Sequence, residues 1–104
     1  MANMMKMMKK AADMQKNMQR VQEELKERTV EFSSGGGMVT AVAAGDISIK
    51  SIKIDPKVID PEDAEMLEDL VFAAVDGALT AAQEMVSEEM GKITAGMKIP
   101  GMNL

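Results

Sequence analysis

Most of the side chains that carry enzyme chemistry are missing from this 104-residue chain, which has no His, Cys, Tyr or Trp. A nucleophile activated by a histidine base is therefore excluded, as is any thiol or disulfide chemistry. General acid–base catalysis would fall to carboxylates and lysines, and these need a pocket that tunes their pKa. Residues 60–91 hold ten acids and no base, but their pattern is that of a solvated helix face. The neighbours Glu88 and Glu89 point about 100° apart on a helix and do not form a catalytic pair. Without His or Cys, and without an Asp-x-Asp-x-Asp-Gly loop, no zinc or calcium site is expected. The run Gly35-Gly36-Gly37 is not followed by Gly-Lys-Ser/Thr and does not open a helix, so it reads as a hairpin turn needing positive φ rather than a phosphate cradle. No catalytic residue, no metal and no cofactor is expected.

Charge is the remaining chemistry. The net charge of −5 argues against a polyanionic partner until its distribution is considered. Residues 1–20 carry Lys6, Lys9, Lys10, Lys16 and Arg20 against Asp13 alone. On a helix these five bases share one face, and polarity between segments decides where a polyanion touches. Lys50 and Lys53 could floor a cleft beside them. Such binding would run on counterion release and be strongly salt-dependent. With Arg20 and Arg28 the only arginines and no compact recognition helix, readout of base edges is expected to be weak. Two Phe are too few for stacking on single strands.

These residues must be positioned by the elements around them. Residues 3–28 read as a long helix with a heptad seam of Met4, Met7, Ala11, Met14, Met18, Val21 and Leu25 opposite the bases. Residues 29–33, 38–44 and 47–54 read as three strands. The parity of Ile47 and Ile49 against Ile52 and Ile54 requires a bulge near Lys50-Ser51. A second long helix is expected over 61–94, capped by Asp60 with Pro61 in the first position. At 1.5 Å per residue it would be about 50 Å long, too long for a globule made by one small chain.

Two apolar stripes run along that second helix. Leu67, Leu70, Val71, Ala74, Ala78, Ala82 and Met85 form one; Phe72, Val75, Leu79, Val86, Met90 and Ile93 form the other. One is expected on the chain's own sheet and one on a second copy, with Leu67, Leu70, Val71, Phe72, Val75, Ala78 and Leu79 as candidate interface residues. The class is α+β in one domain over 1–104: a helical arm over 3–28, a three-stranded antiparallel meander over 29–54, a long helix over 61–94, and a Gly- and Pro-punctuated tail over 95–104. No signal peptide or membrane span is evident, since Lys6, Lys9 and Lys10 interrupt the first apolar run; a cytoplasmic address is expected.

The pattern Gly35-Gly36-Gly37-Met38-Val39, then Gly45, then Ile52-Lys53-Ile54-Asp55-Pro56, resembles the YbaB/EbfC family of small bacterial nucleoid-associated proteins. So do Glu65-Met66-Leu67-Glu68-Asp69-Leu70-Val71 with Ala73-Ala74, and the ending Thr94-Ala95-Gly96-Met97 with Ile99-Pro100-Gly101-Met102. The resemblance implies a tweezer-like homodimer whose helical arms bind duplex DNA with little sequence preference, in the nucleoid, with an effect on gene expression. Ala41 and Ala43 stand where the family usually has larger β-branched residues, so a thinner sheet face is expected. The Met-rich, basic first helix also fits two other roles, an amphipathic segment on an anionic membrane or an adaptable surface for peptides. The heptad seam is explained more simply by helix packing, and a membrane partner is not expected.

Overall fold

The structure, a computed structural model, describes residues 2–96, with side-chain surroundings for residues 3–93. Two long helices flank a three-stranded antiparallel meander: α1 (Ala2–Glu27), β1 (Thr29–Ser34), β2 (Val39–Ala44), β3 (Ser48–Ile54) and α2 (Ala64–Gly96), with sheet order β1-β2-β3. The α+β order expected from the sequence is the one that forms. The tail residues from Met97 onward lie outside the described residues.

Length dictates the shape. The molecule measures 74 × 24 × 16 Å with a radius of gyration of 20.3 Å, against about 13 Å for a compact domain of this size. Strands of six or seven residues span roughly 20 Å, whereas the 33 residues of α2 span about 50 Å. Only the middle of α2 can therefore lie on the sheet, and its buried residues run from Ala74 to Met85.

The core is a seam of small residues. Val39, Ala41 and Ala43 of β2 meet Ala74, Ala78 and Ala82 of α2, and all six are 0% exposed. Strand alternation puts Val30, Phe32 and Ser34 of β1 and Ile49, Ile52 and Ile54 of β3 on that same inner face, as the register confirms. Ser34 Oγ donates to the Leu70 carbonyl at 2.6 Å, tying β1 to α2. Phe32 lies flat against the helix where Gly77 stands, and a Cβ there would land in its ring. Glycine inside a helix costs about 1 kcal/mol relative to Ala; here that cost is offset by the close approach.

The turns follow from local chemistry. Gly35, Gly36 and Gly37 all have positive φ, as their hairpin position requires. At Gly35 a Cβ would also press on the Leu70 side chain at 2.7 Å. The β-bulge appears where the isoleucine parity switches. Val42 pairs with Ser51 and Ala43 with Ile49, leaving Lys50 as the extra residue.

The second helix runs on to Gly96, two residues into the expected tail, and two other boundaries differ more. The second helix starts at Ala64 and is capped by Asp63, which accepts from the Met66 N–H at 3.3 Å. Asp60 instead closes an earlier turn, accepting from the Glu62 N–H at 3.0 Å while its carbonyl accepts from Asp63 N–H at 2.9 Å. Pro61 is thus a turn residue, which its fixed φ suits equally well. Ile47, expected in the third strand, sits in the β2–β3 turn at φ 58, because a three-residue hairpin loop demands a left-handed residue there.

A β-branched residue in that region is strained. Ile47 is 40% exposed, so little packing is lost on replacing it. Ile47→Asn is expected to stabilise the fold by about 1 kcal/mol, since Asn visits this region readily, read as a higher urea midpoint with an unchanged slope.

Candidate nucleic-acid interface

Lys6, Lys9, Lys10, Lys16 and Arg20 are all exposed on α1. Successive 100° steps place them within about a third of the helix circumference, with Asp13 among them. The opposite seam changes character along its length. Met4 and Met7 are 69% and 65% exposed, Met14, Met18 and Val21 are half-buried, and Leu25 is 5% exposed. The helix therefore leaves the body as an arm, anchored at its C-terminal end and uncovered at its tip.

The anchor is built from backbone as much as side chain. Gly45 N–H donates to the Arg28 carbonyl at 3.1 Å, and any Cβ on Gly45 would strike the Leu25 carbonyl. Arg28 also reaches Glu89 of α2 at 3.3 Å, and Lys92 bonds the same carboxylate at 3.0 Å. The hydrogen bond from Lys92, with Arg28 adding to it, holds the Glu89 carboxyl below its ordinary value. This clamp between α1 and α2 was not legible in the sequence, where Glu89 reads as one acid among many.

The predicted bases are not equivalent. Arg20 is engaged by Glu24 at 2.9 Å and by Asn17, whereas Lys6, Lys9, Lys10 and Lys16 make no ion pair among the described residues. The Arg20–Glu24 pair is an exposed i,i+4 contact worth about 0.3–0.5 kcal/mol, weak enough for a phosphate to displace Glu24. Lys50 is held by Asp46 at 3.2 Å inside the β2–β3 turn. Asp46 also accepts from Ser48, and this hydrogen bond, helped by Lys50, lowers its carboxyl pKa. Lys53 stands exposed on β3, across from Thr40. The two strand lysines thus differ: Lys50, the bulge residue of β3, is tied to Asp46 of the turn, and Lys53 belongs to the outer face of the sheet.

The second candidate surface, on α2, also divides. Ala78 is wholly buried on the chain's own sheet and is not left for a partner, and Leu70, half-buried, turns toward Gly35 and β1. The expectation that the whole stripe could serve fails because the helical period carries these two onto the sheet side. Leu67, Val71, Phe72 and Val75 line an open apolar groove with Glu68, and Phe72 is 73% exposed. α2 lies over β1 and β2 and scarcely reaches β3, leaving Ile52 43% exposed. Ile49 and Ile54 pack against the core, so the apolar surface this chain leaves open is the groove on α2 together with Ile52 of β3.

With this geometry in view, comparison with known proteins is decisive. The model of the YbaB/EbfC DNA-binding family matches residues 1–97. The chain belongs to that family. It is 55% identical over 100 residues to a nucleoid-associated protein of Pelotomaculum thermopropionicum, covering 96% of this chain and 95% of that one. A nucleoid-associated protein of Moorella thermoacetica is 55% identical over 101 residues, covering 97% of each. The crystal structure of an uncharacterized protein from Helicobacter pylori shares the fold, with a TM-score of 0.70 over 81% of this chain and 88% of that one, at 23% identity. The YbaB/EbfC family is described as a DNA-binding family. Among the described residues, no helix is long and apolar enough to cross a membrane.

The Glu89 clamp gives this YbaB/EbfC chain a testable pH response. A carboxyl whose folded pKa is lowered contributes stability that is fully present above its ordinary value, 4.5, and lost as pH falls through the folded value. Amide protection of residues 21–28, corrected for intrinsic exchange, is expected to fall on acidification below pH 4.5. The Glu89→Gln protein is expected to show the weakened protection already at neutral pH and less change with acid.

Proposed function

We propose that this protein is a homodimer that binds duplex DNA in the bacterial nucleoid, with little sequence preference, through the basic faces of its α1 arms. The observation that carries the reading is the projecting helix with five exposed bases on one face, in a chain whose other long helix is acidic. A dimer mounts two such faces on two arms, which can straddle a duplex and neutralise phosphates on both sides. The acidic α2 layer repels DNA and keeps it on the arms. Phosphate contacts of this kind position a duplex without reading it, which supports weak sequence preference. The names of the nucleoid-associated relatives support the nucleoid as the address in the cytoplasm, and a role in gene expression follows if occupancy competes with transcription.

Dimerisation is supported by the open apolar groove on α2 and by the exposed Ile52 of β3. A second α2 laid over β3 would bury Phe72, Val75, Leu79 and Ile52 and, by symmetry, receive the same cover in return. Full burial of one such side chain contributes about 1.5–3 kcal/mol, so a few of them suffice for a stable pair. Leu67 and Val71 form the rim of the same surface.

A second reading rests on the tip of the arm. Met4, Met5, Met7 and Met8 are 65–74% exposed, and a Met-rich amphipathic helix also suits a peptide partner or a membrane surface. Peptide binding through these thioethers would be insensitive to salt, and membrane binding would appear in liposome co-sedimentation.

Reversal of Lys6, Lys9, Lys10, Lys16 and Arg20 to Glu is expected to weaken duplex binding at least a hundredfold while the mass in solution remains that of a dimer. Phe72→Glu is expected to give a folded monomer, because Phe72 makes little use of its own chain. Gel-shift titration paired with light scattering checks both. Normal binding by the arm variant would show that the bases are only a solvated face.

A further inference from the structure

The outer face of the sheet lies opposite α2, and of its residues only Lys53 is among the candidate contacts expected from the sequence. Strand alternation assigns it Thr29, Glu31 and Ser33 of β1, Thr40, Val42 and Ala44 of β2, and Ser48, Ser51 and Lys53 of β3. It is a hydroxyl-rich surface with one lysine and one acid, and it lies on the side of the molecule away from the acidic helix α2.

One row of this face has the chemistry of an anion contact. Ser33 pairs with Thr40 in the β1–β2 ladder, and Thr40 with Lys53 in the β2–β3 ladder, so the three side chains stand side by side across all three strands. Ser33 Oγ and Thr40 Oγ1 are hydrogen-bonded at 2.7 Å. Such a pair uses one hydroxyl proton and leaves the other free to donate outward. Lys53 supplies an ammonium on a flexible stem. It makes no ion pair among the described residues, whereas Lys50, on the same strand, is tied to Asp46 at 3.2 Å. The acid of this face, Glu31, is opposite Val42 in the next row, two residues and about 7 Å along the strand.

We propose that Ser33, Thr40 and Lys53 form a phosphate-contact site on the outer face of the sheet, which holds the DNA backbone alongside the body while the arms grip the duplex. The site rests on the DNA-binding reading above and adds to it a fixed contact on a rigid element. Arms anchored only at their roots can follow many duplex positions. A hydroxyl and an ammonium held by a three-stranded ladder cannot, and the sheet therefore sets the orientation of the body on the duplex. Phosphate diester is the ligand class, because hydroxyl and ammonium donors meet there with no acceptor surplus.

The test compares duplex binding of the full-length protein, by fluorescence anisotropy over a salt series, with that of three variants. Lys53→Met is expected to lower the salt slope by about 0.9 for each copy in the complex, one phosphate no longer neutralised per copy, and Lys53→Arg to restore it. Thr40→Val is expected to weaken binding about tenfold, the loss of a hydrogen bond to a charged group, with the salt slope and melting midpoint unchanged. If Lys53→Met weakened binding without changing the slope, Lys53 would act through the fold and the site would be refuted. If the native protein bound duplex and Lys53→Met and Thr40→Val behaved like it, the sheet site alone would be refuted. If the native protein bound no duplex at low salt, the DNA-binding reading itself would fall, and the site with it.

Discussion

The packing of Ala74, Ala78 and Ala82 against Val39, Ala41 and Ala43 constrains everything else in this molecule. Small residues on both sides let a helix backbone come close to a sheet. The seam is dry, with all six residues at 0% exposure, but it is narrow. It occupies one flank of α2 and the inner face of β2 alone, and Gly77 under Phe32 draws the helix further toward β1. The consequence is geometric: a helix drawn toward β1 and β2 leaves Ile52 of β3 exposed and an apolar groove open on its own flank. Apolar surface that one chain leaves open in this way favours a pair of chains.

The same layering separates charge. Ten acids lie in residues 60–91 and none of the chain's bases does, so the helix layer is negative on its solvent side. Six of the chain's twelve bases lie on α1, which leaves the body beyond its Leu25 anchor and the Arg28–Glu89 clamp. Fields of one sign on separate elements steer a polyanion more effectively than the net charge suggests. A protein that is acidic in total can therefore present a basic grip, and the position of the anchor decides how far that grip stands from the acidic layer.

Much of this was legible in the sequence because periodicity is a strong signal where a helix or strand has one buried face. The heptad seam of α1 marked its anchored side, and the parity switch from Ile49 to Ile52 located the bulge at Lys50. Local competition was less legible. Asp60 and Asp63 are both good caps, and the choice between them depended on a turn closed by Asp60. Ile47 has strand propensity, yet hairpin closure forced it to φ 58. Leu70 and Ala78 fell in a stripe too broad for the wheel to divide between sheet and partner. The Arg28–Glu89 contact joins residues far apart in sequence, and no local pattern announces it. The pairing of Ser33, Thr40 and Lys53 follows only once both hairpin registers are fixed.

The most direct test of the arm-and-dimer account is the salt dependence of affinity for a random-sequence duplex, measured on protein shown to be dimeric at the same concentration. If at least four of the arm bases on the two copies neutralise phosphates, log K falls linearly with log salt, with a slope of about −3.6 or steeper at roughly −0.9 per phosphate. A slope near zero, or no binding at low salt, would contradict the account.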